Sequence, residues 1–257
     1  MKRVWIMTGV AAVVTVTTGA AGAGARVHPA GHDGAALARA GTVYTPAFGI
    51  NDRGVIVGTF SINGRPAEHG FVLHDGAYTT LNVPGSRDQT LASQINTAGD
   101  IVGSYLDARG VGHGFVLHDG IYTAFNDPLA TGGTFGFGIS NAGDIVGAFI
   151  RHGHRYGLLL RGGVYTTLDV PGSTDTYASG IITAGMIVGG YTDAAGHRHG
   201  YLLSQGRYRP FNDPNGARGT RPHDINASGD IVGAYTDRSG IHGFLLHDGT
   251  YTTISVP

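Results

Sequence analysis

One motif that returns at near-constant spacing constrains this chain more than any other feature. Gln94-Ile95-Asn96-Thr97-Ala98-Gly99-Asp100-Ile101-Val102-Gly103-Ser104-Tyr105 reads as a strand end, a tight turn at Asn-x-x-Gly and the start of a second strand. The pattern returns at residues 50–60, 139–149, 181–191 and 225–235. Its turn glycines, Gly54, Gly99, Gly143, Gly185 and Gly229, lie 45, 44, 42 and 44 residues apart. A period in this range points to a propeller, a solenoid or an array.

From Thr45 onward each unit repeats the same order. A threonine (Thr45, Thr90, Thr134, Thr176, Thr220) stands five residues before the isoleucine that ends the first strand. After the turn, the second strand carries an internal glycine: Gly58, Gly103, Gly147, Gly189 or Gly233. Glycine weakens a strand interior unless another backbone comes close, so these glycines are expected where neighbouring sheets touch. A second turn follows, as in Asp107-Ala108-Arg109-Gly110, with aspartate placed to accept backbone amides. The third strand opens at His69, His113, Tyr156, His199 or His242, and the fourth starts at a tyrosine and closes at a proline. Four strands in a meander, five times over, predict an all-β, five-bladed β-propeller of four-stranded antiparallel blades. A linear array is the main competitor, and closure is favoured because a row leaves two end faces wet. The units run over residues 45–89, 90–133, 134–175, 176–219 and 220–257. The last already supplies its own four strands, which leaves no blade built from both ends of the chain, so at most a weak latch from the leader is expected.

Composition agrees with many short strands and tight turns: 45 glycines and 14% charged residues in 257. A net charge of −1 and the lack of a basic cluster argue against a nucleic-acid partner. Lys2 and Arg3 precede an apolar run to about Val16 and small residues ending Ala23-Gly24-Ala25, the order of a secretory signal peptide too short to span a bilayer. Residues 1–25 are therefore expected to be removed, leaving a flexible leader over 26–44 and no membrane span in the mature chain. There is no cysteine, hence no disulfide or thiolate metal site.

The run Ala-x-x-Ile-Asn-x-x-Gly-Asp-Ile-Val-Gly followed by His-Gly-Phe resembles the bacterial extracellular HAF repeat, over about residues 45–257. Tyr156 in the third unit and Ile182 in the fourth depart from it. The resemblance implies an exported, propeller-like protein and brings no catalytic residues.

The recurring histidines suggest a metal ring, but third strands of adjacent blades stand roughly 12 Å or more apart. Zinc ligands must all lie about 2.0–2.1 Å from one ion. No metal or other cofactor is expected, and these rings are read as packing between blades, bonded to backbone or hydroxyl. A second set, His74, His118 and His247, is read as solvated. Glycoside hydrolysis usually takes two carboxylates, whereas the sole glutamate, Glu68, has no counterpart and most aspartates recur at turns. Positions that break the repeat carry more information. On the face formed by the blade-to-blade loops and the second turns stand Arg87, Asp88, Asp127, Asp175, Asp213, Arg218, Arg221 and His223. These are the candidate ligand-binding residues; the Asn-Asp-Pro aspartates among them double as turn caps. Arg218, Arg221 and His223 form the one concentrated non-repeating polar group, and arginine suits a carboxylate or an anionic sugar. The leading expectation is a secreted, non-enzymatic binding module for a glycan or protein. The alternatives are a secreted polysaccharide hydrolase or lyase and a purely structural domain.

Overall fold

A computed structural model describes residues 42–62, 68–87 and 89–255. The expected signal peptide, residues 26–41 of the expected leader, and Asp88 lie outside the described residues. The described residues form five antiparallel sheets. Blade one holds β1 (Thr42–Tyr44), β2 (Ala47–Ile50), β3 (Ile56–Ile62), β4 (Glu68–His74) and β5 (Ala77–Leu81). Blade two is β6 (Thr90–Ile95), β7 (Ile101–Leu106), β8 (Gly112–His118) and β9 (Ile121–Phe125). Blade three is β10 (Gly133–Ile139), β11 (Ile145–Arg151), β12 (His154–Arg161) and β13 (Val164–Leu168). Blade four is β14 (Asp175–Ile181), β15 (Ile187–Thr192), β16 (Arg198–Ser204) and β17 (Arg207–Phe211). Blade five is β18 (Gly219–Ile225), β19 (Ile231–Thr236), β20 (Ile241–His247) and β21 (Thr250–Ile254). Composition places residues 42–44 in the leader, yet they form β1 and pair with β3.

The Asn-x-x-Gly turn works through the asparagine side chain. Asn96 Oδ1 accepts the amides of Gly99 and Asp100, while Gly99 takes a positive φ of 101°. Ser140 replaces the asparagine in the third unit and accepts the amides of Ala142 and Asp144 through its hydroxyl. Ile182, in the fourth, leaves the turn to backbone bonds with Gly185 and Met186. The Asp75-Gly76, Asp119-Gly120 and Asp248-Gly249 turns hold positive φ at both residues, the two-residue hairpin whose twist matches its strands.

The second-strand glycines serve a different contact from the expected one. Each inner strand bulges, at 47/49, 92/94, 136/138, 178/180 and 222/224. A side chain on Gly58, Gly103, Gly147, Gly189 or Gly233 would drive into the carbonyl of Pro46, Leu91, Phe135, Tyr177 or Arg221. That carbonyl belongs to the inner strand of the same blade. The close approach is thus internal to each sheet, and the bulge causes it.

Contact between sheets comes from the residue beside the glycine. Val57 of blade one packs on Ala92, Ile95 and Ile101 of blade two. Val102 meets Ile139, Ile145 and Phe149 of blade three; Val146 meets Ala178, Ile181 and Ile187 of blade four. Val188 meets Ile225, Ile231 and Phe244 of blade five. All four valines are 0% exposed, and each such burial contributes about 1.5–3 kcal/mol. Val232, their counterpart in blade five, is 41% exposed. Across from it Ile50 of blade one is 65% exposed, against 5–7% for Ile95, Ile139, Ile181 and Ile225. The interface between blades five and one is therefore a seam, unlike the other four.

The ring is nonetheless drawn together at its axis. Gln94 Nε2 of blade two donates to Asp224 Oδ2 of blade five at 2.7 Å. Blade one lets it pass because its equivalent residue is Gly49, where any side chain would collide with Gln94. A row of sheets would not bring these residues together.

Candidate functional site

A meander gives each blade two ends. Blade-to-blade loops and second turns share the loop face; Asn-x-x-Gly turns and the turns after the third strand share the turn face.

On the loop face, the residue that opens the third strand meets the inner strand of the next blade. Between blades two and three the pair is Gly112 and Phe135, whose ring fills the space a side chain on Gly112 would need. Between blades three and four it is Arg155 and Tyr177, with the guanidinium carbon 4.6 Å from the ring centroid. Such a contact stabilises by roughly 0.5–2 kcal/mol. Arg155 also donates to Asp175 Oδ1 through Nε at 3.0 Å and Nη2 at 2.6 Å. Between blades four and five the equivalent positions hold Arg198 and Arg221, with Arg198 lying against Gly219 at the start of β18. Burial and then the field of Arg198 push the Arg221 guanidinium below its ordinary pKa. The field of Asp175, which is bonded to Arg155, also reaches Arg221 and works to raise it. Burial raises the Tyr177 hydroxyl above its usual range, which keeps it a neutral phenol among three arginines.

The candidate residues read from the sequence divide accordingly. Arg221 and Asp175 belong to this cluster. His223, two residues along the same strand, is exposed. Burial and then the charge of Arg221 hold its imidazole below the usual pKa, hence neutral. Arg218 is exposed, and its amide is bonded to the Thr236 carbonyl. Arg87 lies beside the Asp107–Gly110 turn of blade two. Asp127 and Asp213 are buried at 4% and 3% exposure and cap their own loops, accepting the amides of Leu129 and Asn215. Each serves as a turn cap. Asp213 Oδ2 is buried with no hydrogen-bond partner among the described residues. Burial, with Asp213 nearby, raises Tyr251 to about 12. Asp88 lies outside the described residues.

Arg155, Arg198 and Tyr177 were missed by sequence reasoning. Their signal was available: Arg155 and Arg198 stand where the other units have Glu68, Gly112 and Ile241.

The third-strand histidines bond to side chains of their own blade. His113 Nδ1 lies 2.7 Å from Asn126 Oδ1 and its Nε2 lies 3.4 Å from Asp107 Oδ2. His199 repeats this with Asn212 and Asp193, both at 3.0 Å. The rings stack on the second-strand aromatic, at 5.1 Å for Tyr105–His113 and 4.9 Å for Tyr191–His199. Tyr156 keeps the stack with Phe149 at 5.5 Å. His242 meets the Ser239 hydroxyl at 3.0 Å, as expected, whereas His69, His113 and His199 meet asparagine side chains. The second set is paired as well as exposed: His118 and His247 lie 2.5 Å from Asp100 and Asp230, and His74 lies 3.8 Å from Asp75. Among the described residues, no group of three or more His, Asp or Glu is placed to hold a metal ion.

The turn face opens into a funnel of about 510 Å³ on the axis. Asn51, Asp52, Asn96, Thr97, Asn141 and Thr183 line its mouth; Gln94 and Asp224 lie deeper. Blades one to three are tied there turn to turn. Asn51 Nδ2 donates to the Asn96 carbonyl at 3.2 Å, and the Thr97 amide donates to Asn141 Oδ1 at 2.9 Å. Burial raises the Asp224 carboxyl above its ordinary range, against the lowering effect of bonds from the Ile225 amide and Gln94.

No family model matches the chain, and no curated protein matches it. Solved structures do. A protein provisionally assigned as TolB from Agrobacterium tumefaciens is 14% identical, over 82% of this chain and 80% of that one, with a TM-score of 0.63. Aleuria aurantia lectin, a fungal six-bladed β-propeller with a fucose recognition mode, is 14% identical over 82% and 78%, with a TM-score of 0.53. A provisional gluconolactonase is also 14% identical, over 83% and 78%, at 0.53. At such identities the likeness is one of fold alone. Among the described residues no helix is long and apolar enough to cross a membrane.

Proposed function

We propose that this chain is an exported, non-enzymatic binding module of HAF-repeat type whose loop face takes an anionic ligand between blades four and five. The observation that carries this reading is the occurrence of Arg198 and Arg221, the second feeling the field of the first, at positions where the preceding interfaces place glycine against phenylalanine and arginine against tyrosine. A carboxylate or sulfate reaching these arginines is met by guanidinium forks suited to planar oxyanions. Ligands of this chemistry include uronic-acid or sulfated glycans and acidic protein segments; the signal-peptide pattern and the HAF resemblance favour an extracellular glycan. A glycan array on the purified chain, followed by titration of the best binder, tests this. Arg198→Ala and Arg221→Ala should each weaken binding of the anionic glycan by about tenfold or more, while neutral glycans stay unbound. Unchanged binding in both variants would overturn the site.

A second reading, a hydrolase or lyase acting on polysaccharide, draws on the funnel. Asp224 is the kind of carboxyl, raised by burial, that serves as a general acid. Asp52 is the other carboxylate lining the funnel, and it accepts from Thr97 Oγ1 at 3.1 Å. Release of reducing ends from a polysaccharide by the parent and not by Asp224→Asn would establish this reading instead.

A further inference from the structure

The funnel on the turn face has the opposite charge character to the loop-face cluster. Among the described residues that line it are the carboxylates Asp52 and Asp224, and no arginine, lysine or histidine. At one axial position of the inner strand the five blades place Gly49, Gln94, Gly138, Gly180 and Asp224. Three of these are glycine, so the side chains that position sends to the axis are Gln94 and Asp224. Hydrogen-bonding capacity there is unbalanced. Gln94 Nε2 donates to Asp224 Oδ2 at 2.7 Å, and the Ile225 amide donates to Asp224 Oδ1 at 2.9 Å. An ionised carboxylate offers about four acceptor sites, so Asp224 can take further donors. Donors at the mouth are committed elsewhere. Asn51 Nδ2 serves the Asn96 carbonyl, and Asn96 Nδ2 serves Asp100. Arg53, on the blade-one turn, gives Nη2 to the carbonyls of Thr97 and Ala98 at 2.6 and 3.2 Å. The rim cations His118, Arg161 and His247 are each paired, with Asp100, Asp144 and Asp230.

We propose that the funnel is a second binding site, for a small organic cation whose primary ammonium group pairs with Asp224 on the axis, inside a mouth that carries Asp52. An ammonium brings three donors and no acceptor, the complement of a recess with acceptors to spare. Its charge also offsets the burial that disfavours ionisation of Asp224. The volume of about 510 Å³ falls in the range of ligand pockets, roughly 300–1,000 Å³. A cleft lined by one sign of charge concentrates ions of the other. A bare metal ion fits less well, since among the described residues no group of three or more His, Asp or Glu is placed to hold one. The inference uses none of the loop-face residues, so either site stands if the other fails.

Calorimetric titration of the full chain with glucosamine, putrescine and Nα-acetyl-lysine amide tests this and separates an amino sugar, a free amine and a lysine side chain as sources. Glucose, butanediol and Nα-acetyl-norleucine amide are their neutral counterparts. At least one amine should bind with a Kd of about 1 mM or tighter, and its neutral counterpart at least roughly tenfold more weakly. Asp224→Asn should weaken the amine by about tenfold and Asp52→Asn by about threefold, with melting curves confirming that each variant is folded. Asp75→Asn, at an exposed hairpin on the same face, should change it by less than about twofold. No amine binding in the parent, equal binding of the neutral counterpart, or full binding by folded Asp224→Asn would overturn the proposal. An equal loss in Asp75→Asn would overturn it in favour of a diffuse surface field. Displacement of the amine by calcium chloride, at an ionic strength where sodium chloride has no effect, would overturn it in favour of a metal site.

Discussion

Leu168 and Ile254 occupy the same place in blades three and five, each opposite a third-strand glycine (Gly157 and Gly243), yet one is 4% and the other 52% exposed. The repeat therefore specifies a face, while the next blade decides whether the face is buried. In a repeat protein stability is a sum of unit terms and nearest-neighbour terms, and here the two can be separated at equivalent residues.

The largest expected contrast is at that pair. Leu168→Ala should cost about 2–5 kcal/mol in urea denaturation, and Ile254→Ala about 1 kcal/mol or less. Equal costs would show the seam to be as sealed as the rest. Next, Gly147→Ala and Gly233→Ala should each cost about 1–3 kcal/mol, because the carbonyl they would strike lies in their own blade. A mild effect at Gly233 alone would mean that the missing neighbour had loosened blade five itself.

A smaller effect separates the axial tie from both. The folded Asp224 carboxyl is raised above 3.8, so its ionisation is disfavoured in the native state, and stability is lost as pH rises through that raised value. Asp224→Asn keeps an acceptor for the Ile225 amide and cannot ionise. It should therefore melt higher than the parent at neutral pH and converge with it below pH 3.8. A lower melting temperature at pH 7 would show that the charge itself holds Gln94.

The smallest effect belongs to the turn-face pairs, which are exposed and screened. The bond to Asp100 and the charge of Asp119 raise His118 above 6.5. Burial works to raise Asp100, but bonds from His118 and Asn96 outweigh it and hold the group below 3.8. The pair thus stabilises between these limits, fading as pH rises through the raised histidine value or falls through the lowered carboxylate value. His118→Ala should slightly flatten the pH dependence of melting, and a change of several degrees would exceed what an exposed pair can do.

The strands were legible because turn chemistry is local: Asn96 and Gly99 mark the turn in the sequence and make it in the fold. The loop-face site was legible in part. Arg221 and His223 stand out as departures from the repeat, but Arg155 and Arg198 sit one residue before a conspicuous histidine or tyrosine column and pass for variation at a strand end. The second-strand glycines were assigned to the wrong contact because a bulge cannot be counted from residue types. The partners of His113 lie 13 residues downstream and 6 upstream, at loop positions whose approach depends on how each sheet twists.

By itself the sequence determined the unit: five meanders, their turns, and the apolar side that each offers to a neighbour. Period-two alternation and turn residues act over a few positions, so they survive without any knowledge of the whole. Tertiary structure alone decided which faces met, that the axis is crossed by Gln94 to Asp224 over Gly49, and that the field of Arg198 reaches Arg221 of the next blade. Those outcomes join residues 130 apart along the chain in the first case, and they depend on how five sheets curve around one line, a sum of small twists that no single repeat encodes.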